Sequence, residues 1–68
     1  MDKVILRDTT PNNWREDHIQ NVQEQFGMVD YCTKENATIY TLETAIRLIR
    51  IVNAKSNGAR NLTYDWVE

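Results

Sequence analysis

Residues 10–27, TPNNWREDHIQNVQEQFG, decide which fold the sequence predicts. Thr10 can cap a helix, Pro11 suits the first helical position, and Gly27 can end the helix in a left-handed conformation. At about 100° per residue, three apolar side chains fall on one side of such a helix, and acidic and amide side chains fall opposite them. The three are Ile19, Val22 and Phe26. The stretch therefore predicts an amphipathic helix over residues 11–26.

The flanking segments add four strands and a second helix. Residues 3–7 are β-branched and apolar, which favours a central strand. Residues 28–34 alternate in polarity, turn residues follow, and residues 37–40 resume the pattern, so the two segments predict a hairpin. Residues 62–67 alternate again and predict the last strand.

The second helix is predicted over residues 42–55. Thr41 is suited to cap it, and Ser56-Asn57-Gly58 is suited to stop it. Its apolar arc is wide enough to face a sheet. The arc comprises Leu42, Ala45, Ile46, Leu48, Ile49 and Val52.

The element order β-α-β-β-α-β predicts an α+β, ferredoxin-like domain that spans residues 1–68. In that arrangement two helices cover one face of a four-stranded antiparallel sheet, and the first and third strands are central. Central strands need core residues, and the sequence offers Val4, Leu6, Ala37 and Ile39. A rival hypothesis keeps these elements but lets one terminal strand leave the sheet or pair with another chain.

The uncovered face of such a sheet is the predicted partner-binding surface. It would combine an isoleucine, an aromatic ring and two cations, which is the composition of many interface centres. The predicted contact residues are Lys3, Ile5, Arg7, Thr38 and Tyr40.

Composition restricts the classes of protein that this chain resembles. With 41% hydrophobic and 26% charged residues, it has the balance of a folded globular domain. The net charge of −2 argues against a partner bound mainly through phosphates. Cys32 is the only cysteine, which suits a reducing compartment, and no stretch resembles a signal peptide or membrane span. We therefore expect a cytoplasmic protein that does not enter a membrane.

The motifs of catalysis are missing from the sequence. No Gly-rich phosphate loop, nucleophile elbow or metal-ligand spacing occurs. His18 and Cys32 are the single histidine and cysteine, and their spacing does not predict that they meet. The sequence thus predicts no enzyme, no catalytic or metal site and no cofactor.

The leading functional hypothesis is a small protein-binding module. In its length, acidity and initial methionine, the chain resembles the stand-alone proteins with which bacteriophages and other mobile elements bind and inhibit one host protein. The alternative is a small RNA- or DNA-binding domain that uses the open sheet face, because Tyr40 would lie there among cations. The oligomeric state is left open by the sequence.

Overall fold

A computed structural model describes residues 2–9 and 17–67 of the chain. A short 3-10 turn at Lys34–Asn36 separates the third strand from the fourth. The elements are β1 (Lys3–Asp8), β2 (His18–Gln23), β3 (Met28–Cys32), β4 (Tyr40–Thr41), α1 (Leu42–Lys55) and β5 (Leu62–Trp66).

The five strands form one antiparallel sheet with β1 at its centre. β1 pairs with β5 through five consecutive residues. The opposite side of β1 is shared, because Arg7 lies opposite His18 of β2 whereas Val4 lies opposite Tyr40 of β4. β2 then pairs with β3, so β3 and β5 form the two edges of the sheet.

The core lies between α1 and one face of this sheet. Val4, Leu6, Ile19 and Val52 are its largest completely buried side chains. Burial of one such side chain contributes about 1.5–3 kcal/mol, so a domain of this size depends on each of them. The remaining members are Val29, Ala45, Leu48 and Leu62.

The helix α1 has the bounds that the sequence predicted. The Thr41 hydroxyl accepts a hydrogen bond from the Thr44 amide at 3.3 Å, which satisfies one of the free donors of the first turn. At the other end, Asn57 and Gly58 have positive φ angles of 59° and 87° and lead the chain away from the helix. The predicted helix, cap and stop are therefore confirmed.

The helix predicted over residues 11–26 is wrong wherever the structure describes it. Residues 18–23 form β2 and residues 24–27 form a turn. The predicted cap at Thr10 and Pro11, like the rest of residues 10–16, lies outside the described residues.

A β-bulge explains why this strand resembles a helix in sequence. The pairing of β2 with β3 shifts between Ile19 and Asn21, so Gln20 is an extra residue. Ile19 lies opposite Tyr31 and Val22 lies opposite Val29, which places both on the same face although they are three residues apart. A three-residue apolar spacing therefore arises here from a strand with one extra residue.

The predicted hairpin of residues 28–34 and 37–40 is also wrong. β3 pairs with β2, to which a four-residue turn at residues 24–27 connects it. The later strand is reduced to Tyr40–Thr41, and it pairs with β1. The ferredoxin-like fold is thus replaced by a five-stranded antiparallel sheet with a single α-helix among the described residues.

Candidate partner-binding surface

The pairing register shows which side chains share the face of the sheet opposite α1. Residues directly opposite each other in an antiparallel pair point to the same side, and neighbours along a strand point to opposite sides. Since Val4 and Leu6 pack under α1, Lys3, Ile5 and Arg7 lie on the other face. The structure therefore brings three of the five predicted contact residues together.

These three residues differ in what they offer to a partner. Lys3 is exposed, whereas Ile5 is only 7% exposed. Arg7 donates hydrogen bonds to the Asp65 carboxylate at 2.8 and 3.3 Å. Those hydrogen bonds are the main reason that the pKa of Asp65 lies below its ordinary value. Arg7 is consequently half of an ion pair and not a free cation.

Tyr40 lies on the wrong face for the predicted surface. It is opposite Val4 and is half-buried against the core on the helix side. Burial is the main reason that the pKa of its phenol is raised. The placement of Tyr40 beside Ile5 and Arg7 is therefore a wrong prediction, because it followed from the ferredoxin-like register.

Thr38 serves the fold through both of its hydrogen-bonding groups. Its amide donates to the Ile19 carbonyl at 3.3 Å, and its hydroxyl donates to the Gln20 carbonyl at 2.6 Å. These bonds fix the segment of residues 33–39 against β2 at the bulge. A role of Thr38 in partner binding stays a prediction, as it does for the other four residues.

The segment of residues 33–39 forms one wall of a groove of about 500 Å³. Ile39 is 55% exposed on this wall, although the sequence placed it in the core. Trp66, also 55% exposed, is another lining residue; it lies opposite Val4, and its ring packs edge-on against Tyr64 at 5.7 Å between centroids. Other lining residues are Ile5, Lys34, Glu35, Ala37 and Val67. We call this surface the Ile39–Trp66 groove.

Sequence reasoning missed Ile39 and Trp66 as candidate contact residues. The short apolar run around Ile39 predicts a central strand, and a central strand would bury the Ile39 side chain. Trp66 alternates correctly along β5, but alternation does not tell that β5 is an edge strand with room beyond it. The available signal was Trp66 itself, because a large aromatic residue at the end of the last predicted strand indicates a possible contact site.

The structure also brings His18 and Cys32 together, which the sequence did not predict. They are direct cross-strand partners and are each 7% exposed. His18 Nδ1 lies 2.8 Å from Asp17 Oδ1, although at an angle unsuited to a hydrogen bond. Because both side chains are buried, a substrate would not reach the thiol without movement of the surrounding chain. That Cys32 is not catalytic stays a prediction.

A second polar group, at the end of β1, links three parts of the fold. Asp8 is 2% exposed, and its carboxylate accepts a hydrogen bond from the Tyr31 hydroxyl at 2.5 Å. The Asn61 amide donates to the same carboxylate at 3.4 Å. Burial, followed by this hydrogen bond, raises the pKa of Tyr31. The cluster joins β1, β3 and the segment before β5.

The outer surface of α1 carries the remaining candidate cations. Arg47 donates to the Glu24 carboxylate at 2.6 Å and forms an ion pair with it. Arg50 and the half-buried Ile51 lie on the same outer surface. Exposed pairs of this kind contribute little to stability, so this surface mainly solvates the helix.

The part of the chain that the structure describes shows neither a metal-binding cluster nor a helix that could span a membrane. No three His, Cys, Asp or Glu side chains lie close enough together there to hold a metal ion. Of the helices within residues 2–9 and 17–67, none is long and apolar enough to cross a membrane.

Comparison with known proteins gives no relative for this chain. It matches no protein family, no curated protein and no solved structure.

Proposed function

We propose that this protein is a small, non-enzymatic protein-binding module that uses the Ile39–Trp66 groove. The observation that carries the proposal is the 55% exposure of both Ile39 and Trp66, two large apolar residues that line one concave surface. Covering such side chains with a partner stabilises a complex at about 25 cal/mol per Å² of apolar area.

The shape and charge of the groove support a protein as the partner. Apolar side chains at the centre with polar groups at the rim are the usual anatomy of a protein interface. Lys34 and Glu35 supply one charge of each sign at the rim. The groove is therefore suited to a partner segment that inserts an apolar side chain and carries polar groups of both signs beside it.

Inhibition of a host protein is the biological role we propose for this binding. It rests on the format that the chain shares with small proteins of phages and mobile elements. A cytoplasmic location is part of the same proposal, and the buried Cys32, which has no second cysteine in the chain to pair with, is compatible with it.

A nucleic acid is the second candidate partner, and the structure gives it less support. Arg7 and Arg47 are both engaged by carboxylates, through Asp65 and Glu24. A phosphate would have to compete with these ion pairs. Tyr40, the aromatic residue on which the nucleic-acid hypothesis depends, is half-buried on the helix side.

The test is affinity capture with the tagged chain from a lysate of its native host, followed by measurement of the captured protein's affinity. Ile39→Ser should weaken binding by roughly 1–2 kcal/mol, because it removes an apolar contact without disturbing the core. Ile46→Ser is the matched control, since Ile46 is also exposed but lies on α1. Equal losses from both variants would contradict the groove.

Salt dependence separates the two candidate partners. Binding to phosphates falls steeply as salt rises, whereas binding through an apolar groove changes little. A captured nucleic acid whose affinity collapses between low and moderate salt would replace the protein-binding proposal.

A further inference from the structure

The outer edge of β5 presents backbone groups that are not used within the described chain. The Val67 amide donates to the Lys3 carbonyl at 3.0 Å, and the Thr9 amide donates to the Asn61 carbonyl at 2.9 Å. Bonding pairs alternate along an antiparallel ladder, so Thr63 and Asp65 also bond to β1. The N–H and C=O groups of Leu62, Tyr64 and Trp66 therefore point outward.

One of these outward groups already has a partner. The Leu62 amide donates to the Asn53 side chain of α1 at 2.9 Å. The donors left on the edge are the amides of Tyr64 and Trp66, and the Leu62 and Tyr64 carbonyls lie beside them as acceptors. With the Trp66 carbonyl, which also points outward, the edge offers two donors and three acceptors.

We propose that β5 pairs with β5 of a second copy of this chain, antiparallel and centred on Tyr64. Trp66 belongs both to this edge and to the Ile39–Trp66 groove, so Ile39, which only the groove contains, distinguishes the two proposals. In this register each Tyr64 amide donates to the other copy's Tyr64 carbonyl. Each Trp66 amide donates to the other copy's Leu62 carbonyl. Four hydrogen bonds form, and every free donor on both edges is used.

The side chains of β5 are compatible with the same register. Tyr64 lies opposite itself, an aromatic cross-strand pair of the stabilising kind. Trp66 lies opposite Leu62, whose side chain packs in the core of its own copy. On the other face Asp65 lies opposite Thr63, so no like charges are directly opposed. Arg7 of the same copy neutralises each Asp65.

Asn53 of α1 covers the edge at the Leu62 amide, and the rest of β5 lacks the features that normally prevent edge pairing. Edge strands are commonly protected by lysine, proline or a bulge. β5, with sequence LTYDW, contains no lysine or proline, and its pairing with β1 runs without a register shift. A symmetric two-fold contact of this type closes on itself and yields a dimer and not a filament.

The test is sedimentation equilibrium of the full chain from micromolar to near-millimolar concentration. The wild type should show a concentration-dependent monomer–dimer equilibrium. Tyr64→Pro should raise the dimer dissociation constant at least tenfold, because it removes an outward N–H and no bond to β1. Trp66→Lys should act in the same direction by charging the edge.

Phe26→Lys and Ile39→Lys are the controls, since both replace exposed apolar side chains away from the edge. Both variants should leave the dimer intact. If Ile39→Lys then loses partner binding but still dimerises, the groove and the dimer are shown to be separate. A wild type that is monomeric at every concentration would overturn the proposal, whether or not a foreign strand binds there. So would a dimer that survives both Trp66→Lys and Tyr64→Pro in folded form, as judged by circular dichroism.

Discussion

Gly27 is the residue at which conformation and close packing coincide. Its φ angle is +64°, in the region that favours glycine, and it lies in the turn between β2 and β3. A Cβ atom at this position would lie 2.4 Å from Cβ of Lys55, near the end of α1. The turn is therefore fitted to the helix end at a distance that only glycine allows.

We expect Gly27→Ala to lower the free energy of unfolding by about 2–4 kcal/mol, through left-handed strain together with the clash. Gly58→Ala is a matched control, because Gly58 has a φ of +87° and nothing within 4 Å of the added Cβ. It should cost only about 1 kcal/mol. Urea unfolding of the two variants checks this, and equal losses would show that the contact with Lys55 does not matter.

The ion pair between Arg7 and Asp65 predicts a pH dependence of stability. The pKa of Asp65 is lowered from 3.8, first by the hydrogen bond from Arg7, so the folded state favours the carboxylate. This contribution is fully present above pH of about 4 and is lost as pH falls through the folded pKa. Because both side chains are more than a third exposed, solvent limits it to roughly 0.2–1 kcal/mol.

Asp65→Asn should therefore be less stable than wild type at neutral pH. Below the folded pKa of Asp65, the two proteins should differ little in stability. Unfolding in denaturant at several pH values measures the difference from wild type. Asp30→Asn is the control, since Asp30 is exposed on β3 and no ion pair to it is seen among the described residues. A loss in Asp65→Asn that does not change with pH would contradict the assigned role.

Residue-level predictions succeeded where local chemistry decides the outcome. Thr41 caps α1 because its hydroxyl reaches an amide three residues on, and Leu48 and Val52 are buried because helical spacing places them on one side. The predicted burial of Ile39 was wrong, because the exposure of this side chain depends on which strand its segment pairs with. Lys3, Ile5 and Arg7 share a face in any strand, whereas the face of Tyr40 depends on register with β1.

At the scale of elements, β2 shows how a bulge hides a strand. Its apolar residues Ile19 and Val22 are three apart, and Gly27 follows at a distance suited to a helix end. Both features have a second explanation, because the bulge at Gln20 restores a common face and Gly27 serves a hairpin turn. α1 was predictable because its apolar arc repeats over four turns, which a strand cannot imitate.

Deletion of Gln20 tests the bulge. Deletion leaves Ile19 and Val22 two residues apart, so a regular strand without the bulge still places both on the core face. We expect the variant to fold with a loss of about 0.5–1.5 kcal/mol, because the Thr38 hydroxyl loses its hydrogen bond to the Gln20 carbonyl. Far-UV circular dichroism and thermal melting measure the loss.

Gln20→Ala is the control for the deletion. It keeps the residue count and the backbone carbonyl that accepts from Thr38, and the Gln20 side chain is exposed. Its stability should stay within about 0.5 kcal/mol of wild type. A deletion variant that unfolds while Gln20→Ala stays folded would show that the bulge does more than bring Ile19 and Val22 to a common face.

At the scale of the whole molecule, the topology depends on contacts between the two ends of the sequence. β5 pairs with β1 through residues nearly as far apart as the chain allows, from Val4 with Trp66 to Asp8 with Leu62. Such pairing leaves no local signal, since each strand alone fits several sheets. The presence of β1, α1 and β5 could be predicted, but the strand order could not.

The same pairing predicts that the chain tolerates circular permutation. Because the Val67 amide donates to the Lys3 carbonyl at 3.0 Å, a short Gly/Ser linker can join residue 68 to residue 1. A new start at Gly58 falls in an exposed turn. We expect this circular permutant to fold, with a loss of about 1–2 kcal/mol from the Ser56 hydroxyl contacts to Arg60.

The matched comparison is a chain that ends at Asn57 and so retains every element except β5. It loses Leu62 from the core and exposes one whole side of β1 to water, which leaves the central strand without half of its ladder. We expect dispersed amide resonances from the permutant and collapsed ones from the truncated chain. A folded truncated chain would show that the fold does not require β5, and the central position assigned to β1 would then be wrong.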